Sequence, residues 1–147
     1  VREELKSIWI ETFKGIEEGQ SSHLVETKPG TGIFGTIARL SARQASQNIN
    51  GNTIAAHAHH TMYHITVCLS FLEGNEPEAD WSKSWKISEV DGEEWQNIRD
   101  SLEIAYNKML KRIEINELDD ISVRFILSSL SHAAYHLGAI RQMVKNL

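Results

Sequence analysis

The sequence predicts an all-α protein, a four-helix bundle formed by a single domain over residues 1–147. Three observations carry this reading. Apolar residues recur at three- and four-residue steps through four separate segments, the pattern of amphipathic helices. No segment alternates apolar and polar residues as a half-buried strand does, and no internal repeat is visible. Five of the seven histidines fall on only two helical faces, and facing helices of a bundle are where such side chains meet.

The first helix runs from Val1 to about Glu18, with Leu5, Ile8, Trp9, Thr12, Phe13 and Ile16 on its apolar face. Gly19 and the stretch QSSHLVETKPGTGIFG, rich in Ser, Pro and Gly, should end it and form a long connection that leaves His23 solvated. TIARLSARQASQNI has room for one or two short helical turns, with Ser41 capping ARQAS, before the polar break NINGN. The second helix covers about Thr53 to Glu73, with Thr53, Ala56, His57, His60, His64, Val67 and Phe71 on one stripe and Gly74 as its stop. Its length of about 20 residues gives roughly 30 Å, a full bundle height.

Residues 74–90 lack a helical period and contain Pro77, which suits a long crossover between the second and third helices. Trp81 and Trp85 should pin that crossover to the bundle, because two exposed indoles in an acidic loop would invite association. Asp91 is placed to cap the third helix, with Glu94 as the return partner, and Trp95, Ile98, Leu102, Ala105, Tyr106, Met109 and Ile113 make its buried stripe. Asp119 or Asp120 caps the fourth helix, which continues to about Asn146 with Phe125, Ser129, His132, His136, Ile140, Met143 and Leu147 facing inward.

His132 and His136 are one turn apart on one face, close enough to share an ion. Burying imidazoles without partners costs about 1–3 kcal/mol for each unpaired polar group, and a shared cation relieves that cost. Zinc and nickel accept neutral imidazole nitrogen, and three protein ligands leave open positions for water or substrate. Spacing alone leaves the third ligand among His57, His60 and His64, which fall within about 60° of one another, with His60 central. The other two would then be donors behind the ligands, substrate contacts or packed core histidines, and either is placed to serve as the general base of a hydrolytic reaction. His59 points about 100° away, toward the surface or a helix flank. Cys68, about 80° from His60 and two turns on, reads as a buried structural thiol. Arg141 falls about 180° from His132, where a salt bridge, or a subunit contact in a homodimer, would engage it. Tyr135 lies about 60° off the seam, bordering the pocket or packing on a neighbouring helix.

The bulk composition excludes several classes. With 41% hydrophobic and 24% charged residues and only 2 Pro, neither disorder nor a fibrous repeat is indicated. A net charge of −5 gives no basic footprint for nucleic acid or an anionic membrane, so neither is expected as a partner. Cys68 is the single cysteine, which excludes an internal disulfide. No apolar run reaches the roughly 18 residues of a membrane span, and VREELKSIW does not resemble a signal peptide, so a cytoplasmic location is expected.

The pattern TIAAHAHH, then FLEG, DWSKSW, a Trp-containing third helix and HAAYHLGAIRQ resembles the DinB-like superfamily, which also holds the YfiT-type metal-dependent hydrolases. The resemblance spans about Thr36 to Met143 and is strongest at HAAYHLGAIRQ. It implies an up-down-down-up bundle in which a divalent metal is held by one histidine of the second helix, falling on His60, and by His132 and His136 of the fourth. His57 and His64 are additions that share the same face. The resemblance further implies a small-molecule enzyme. One version is a transferase using a low-molecular-weight thiol as cosubstrate on small electrophiles; the alternative is a hydrolase of a small ester or amide. A non-enzymatic metal-binding stress-response bundle is the reading from another class.

Overall fold

The computed structural model describes residues 1–115 and 117–147. Among them the chain forms six α-helices, four of them long: α1 (Arg2–Lys14), α2 (Ile33–Ile37), α3 (Ala42–Ala45), α4 (Ile54–Leu72), α5 (Gly92–Ile115) and α6 (Asp120–Val144). The long helices make a bundle. α4 packs along both α5 and α6, and α1 packs on the same two helices, so α1 and α4 occupy opposite corners. One contiguous hydrophobic cluster runs through all four. No described helix is long and apolar enough to cross a membrane.

Local chemistry sets the helix starts. Thr53 accepts the Ala56 N–H at 3.1 Å and opens α4. Asp91 and Glu94 cap each other's backbone N–H groups at the start of α5, at 2.8 and 2.9 Å. Asp119 rather than Asp120 caps α6, accepting the Ser122 N–H at 2.8 Å. Ser41 and Gln44 form the same reciprocal box at α3. Each satisfies orphan donors at a helix start, the positions that lack an intrahelical partner.

Between α1 and α5 the core is aromatic. Trp9 and Tyr106 stack with centroids 6.1 Å apart, Phe13 tilts against both, and the Trp9 indole donates to the Tyr106 carbonyl at 3.3 Å. Trp95, also buried, donates to the Leu40 carbonyl at 2.9 Å and so ties α5 to the short helices.

Two helix ends differ from the sequence pattern. α1 stops at Lys14, four residues before the expected Glu18, because Gly15 turns the chain at φ 79° and pairs, with Ile16, against Pro29. Gly32 approaches so closely that a Cβ there would lie 2.4 Å from the Gly15 nitrogen, which leaves no room for another helical turn. Ile16 is still buried, but from outside the helix. At the other end α6 stops at Val144, so Leu147 lies beyond the helix, 39% exposed, and is not part of the inward seam. Phe71 and Phe125 stack on each other at 5.2 Å toward the rim of the bundle instead of entering its centre.

Glu11, a charged residue in α1 that periodicity does not mark, is buried. One carboxylate oxygen accepts from the Ser22 hydroxyl at 2.7 Å and from the His23 and Leu24 N–H groups at 2.8 and 3.1 Å. The first connection is thereby fastened to α1. Arg141 fastens the same connection to α6, donating to the Thr31 carbonyl at 3.1 Å and pairing with Glu26. Removing the carboxylate leaves its donors unpaired, so Glu11→Ala should cost about 2–3 kcal/mol in urea unfolding. Amide exchange at residues 22–24 should accelerate more than exchange in α4 or α6.

Candidate metal centre

α4 and α6 face each other along the stretch that carries the histidines. From α4 comes His60, and from α6 come His132 and His136. Their Nε2 atoms converge: His132 lies 3.1 Å from His60 and 3.2 Å from His136, and one ligand atom from each of the three falls within 4.8 Å of the others. His60 and His136 are buried and His132 half-buried.

Hydrogen bonds behind the rings decide which nitrogens can offer lone pairs. The Ser84 hydroxyl donates to the Trp81 carbonyl at 2.6 Å, so toward His60 Nδ1, also 2.6 Å away, it can only accept. His60 must carry its proton on Nδ1, which leaves the Nε2 lone pair pointing into the cluster. His136 Nδ1 lies 2.8 Å from His57 Nδ1. With Nε2 of His136 a lone pair, its Nδ1–H donates to His57. Neutral His57 then carries its own proton on Nε2.

Three converging imidazole nitrogens suit a cation. Metal–nitrogen bonds of about 2.0–2.1 Å at tetrahedral to right angles separate the ligand nitrogens by about 2.8–3.4 Å, a range that contains both short separations here. The residues present therefore fit a divalent metal with nitrogen ligands.

Electrostatics keep the rings neutral, as ligands must be. Burial lowers the pKa of His60 to about 4, with neighbouring imidazoles adding to the shift. Burial first, and then the imidazoles around each ring, take His132 and His136 to about 3. His57 and His64 are lowered by burial alone. Desolvation penalises the charged imidazolium, and several imidazolium ions in one place would repel.

The crossover covers the cluster. Within residues 74–90, Lys83–Trp85 form a 3₁₀ turn with no counterpart in the sequence pattern. Trp85 stacks on His60 at 4.1 Å and meets His57 edge-on at 5.3 Å. Trp81 lies 5.7 Å from His64 and 5.6 Å from Tyr63. Both indoles thus pack on the bundle by one face while keeping 44% and 38% exposure for Trp81 and Trp85. The Tyr63 hydroxyl accepts the Asp80 N–H at 2.9 Å, and His59 Nδ1 meets the Ser84 carbonyl at 3.0 Å. His59 is accordingly half-buried on the helix flank, holding the crossover.

The remaining candidates fall into place around this centre. His64 stacks on His132 at 3.9 Å, and its Nδ1 lies 3.7 Å from Cys68 Sγ. Cys68 is buried, and burial pushes its thiol pKa up, against a smaller lowering by Ser129. His23 is exposed in the first connection. Tyr135 is 71% exposed, with its ring edge-on to His136 at 5.1 Å. It borders a cleft of about 490 Å³ whose lining also includes His57 and Trp85. Ser84 escaped the sequence reading: the one available signal was its position between two indoles in DWSKSW, which does not reveal a hydrogen bond to a helix.

No family model matches the chain, nor does any curated protein or solved structure.

Two outcomes follow from this geometry. Ser84→Ala should weaken zinc binding about 10- to 100-fold in chelator competition while leaving the helical circular dichroism unchanged, because it removes the partner that orients His60. Acid should destabilise the metal-free protein. The folded pKa values of about 3 to 4 lie below the ordinary 6.5, so the unfolded chain takes up protons first. Stability should therefore decline as pH falls below about 6.5 and level off only near pH 3–4. His132→Ala should make the decline shallower in urea midpoints measured across that range.

Proposed function

We propose that this chain is a divalent-metal enzyme of the DinB-like type, a transferase that joins a low-molecular-weight thiol to a small electrophile. The observation that carries the reading is the convergence of three Nε2 atoms, from His60, His132 and His136, on one point between α4 and α6. The sequence resemblance supplies the enzyme class and the up-down-down-up order of helices, and a reducing cytoplasm suits the free thiol of Cys68.

Zinc or nickel at that point would supply a positive charge that holds a substrate thiol as thiolate at neutral pH. The side chains of the protein do the rest. Ser84 holds the His60 lone pair inward and His57 does the same for His136, so these two ligands need no reorganisation. Trp85 and Trp81 cover the α4 side of the rings and limit water there, which strengthens electrostatic attraction inside the site.

Two features support thiol transfer over hydrolysis. Among the described residues no carboxylate hydrogen-bonds to any of the five clustered histidines, so the customary partner for activating water is missing. His57, one of the two imidazoles outside the ligand set, is already engaged with His136. Hydrolysis of a small ester or amide is the second reading. It is favoured by His64, a neutral imidazole stacked on His132 whose Nδ1 meets Cys68 and whose Nε2 is left to serve as base.

Cobalt substitution separates the two. A low-molecular-weight thiol should shift the visible spectrum of the cobalt protein as sulfur enters the coordination sphere, and turnover of small electrophiles should require that thiol. Ester turnover indifferent to thiol, with an unchanged cobalt spectrum, would replace the transferase by the hydrolase.

A further inference from the structure

The cleft of about 490 Å³ beside the histidines is lined by ten residues, none of them one of the three converging histidines. One wall is the turn between α3 and α4, where Ile49 and Asn52 pair backbone to backbone at 2.8 and 3.3 Å. Asn50 takes the left-handed conformation at φ 54° at the tip of this turn, which Asn tolerates better than most residues. The other wall is the last two turns of α6. The inner end is formed by His57, whose Nδ1 meets His136, and by Trp85, whose ring stacks on His60.

Ten side chains line this cleft, and none is Asp, Glu, Lys or Arg, in a chain that is 24% charged. Its carboxamides stand beside the Tyr135 hydroxyl and the His57 imidazole, and the committed atoms of two of them leave complementary ones for a ligand. The Asn52 oxygen accepts the Thr53 N–H at 2.9 Å, so its NH₂ remains to donate. The Asn146 NH₂ donates to the Gln142 carbonyl at 2.9 Å, so its oxygen remains to accept. The exposed Gln142 side chain offers both functions. Tyr135 and Trp85 add flat apolar surface between these amides and the histidines.

We propose that this cleft binds the uncharged, amide- or hydroxyl-bearing tail of the thiol substrate, and selects against substrates that carry a carboxylate there. The inference rests on the transferase reading for what the tail is attached to, while the selection is a property of the cleft alone. A carboxylate entering it would lose water and meet no cation, whereas an amide exchanges its water for both donors and acceptors. At the inner end Trp85 stacks on His60 and His57 meets His136, so a tail seated against Tyr135 and Gln142 lies beside rings that belong to the ligand set.

The test uses matched pairs that differ only in charge. N-acetylalaninamide and N-acetylalanine, which have no sulfur, are titrated into the protein as purified and followed by the NMR signals of the Gln142 and Asn146 side-chain amides. The amide should bind at least about tenfold more tightly than the carboxylate, moving these signals. Gln142→Lys, a change on the exposed side of α6, should narrow or invert that preference. Equal binding of the pair, binding that leaves those signals in place, no binding of either, or an unchanged ratio in Gln142→Lys would overturn the inference. The corresponding thiols, N-acetylcysteine amide and N-acetylcysteine, are then added to the cobalt protein. If the sulfur-free pair discriminates but neither thiol alters the cobalt spectrum, the cleft selects as stated and the transferase reading fails by itself.

Discussion

Five imidazoles cluster along about two turns of the seam between α4 and α6, and each brings two nitrogens that need a partner. His60 is satisfied by Ser84 on one side, and His136 by His57. What remains on both rings is an Nε2 atom, and His132 directs its own Nε2 at the same point while its buried Nδ1 has no hydrogen-bond partner among the described residues. Burial lowers the pKa of all three, so protonation is a poor way to reconcile nitrogens this close. A shared cation reconciles them. The crossover that delivers Ser84 is in turn held by Tyr63 and His59 of the same helix, so α4 supplies one ligand, the ring behind another, and the anchors for the segment that orients the first.

That dependence explains the division of labour along the chain. The aromatic cluster of Trp9, Phe13 and Tyr106, with Trp95 tied to Leu40, holds the helices together without involving the histidines. Glu11 and Arg141 fasten the first connection at both its ends. The α4–α6 seam is then free to carry polar groups at positions where a core would place Leu or Ile. The cleft near the end of α6 continues this arrangement outward, with amides replacing imidazoles as the wall meets solvent.

The amino-acid pattern made much of this legible, for identifiable reasons. Helix starts could be read at Ser41, Asp91 and the Asp119–Asp120 pair because these are capping residues in capping positions, whereas Thr53, read as part of the buried stripe, proves to be the cap of α4. Helical arithmetic puts His132 and His136 on one face and leaves the third member among His57, His60 and His64; the structure brings His60 to the pair. Less legible was whatever depends on backbone folding back on itself. The early end of α1 comes from the close approach of Gly15 and Gly32, seventeen residues apart in sequence, as their numbers show. The burial of Glu11 depends on N–H groups of a loop, and Ser84 matters through a 3₁₀ turn too short to leave a period. His59, one step from His60, points about 100° away by the same arithmetic and finds its partner only because the crossover returns along that flank.

The central claim is that three imidazoles, one from α4 and two from α6, hold a divalent metal. X-ray absorption at the metal edge, on the purified protein and on His60→Ala, tests it most directly. The account predicts a bound zinc or nickel whose nearest shell contains three imidazole nitrogens at about 2.0–2.2 Å, falling to two in the variant. A protein that carries no metal and takes up none, or a metal shell that is the same with and without His60, would contradict it.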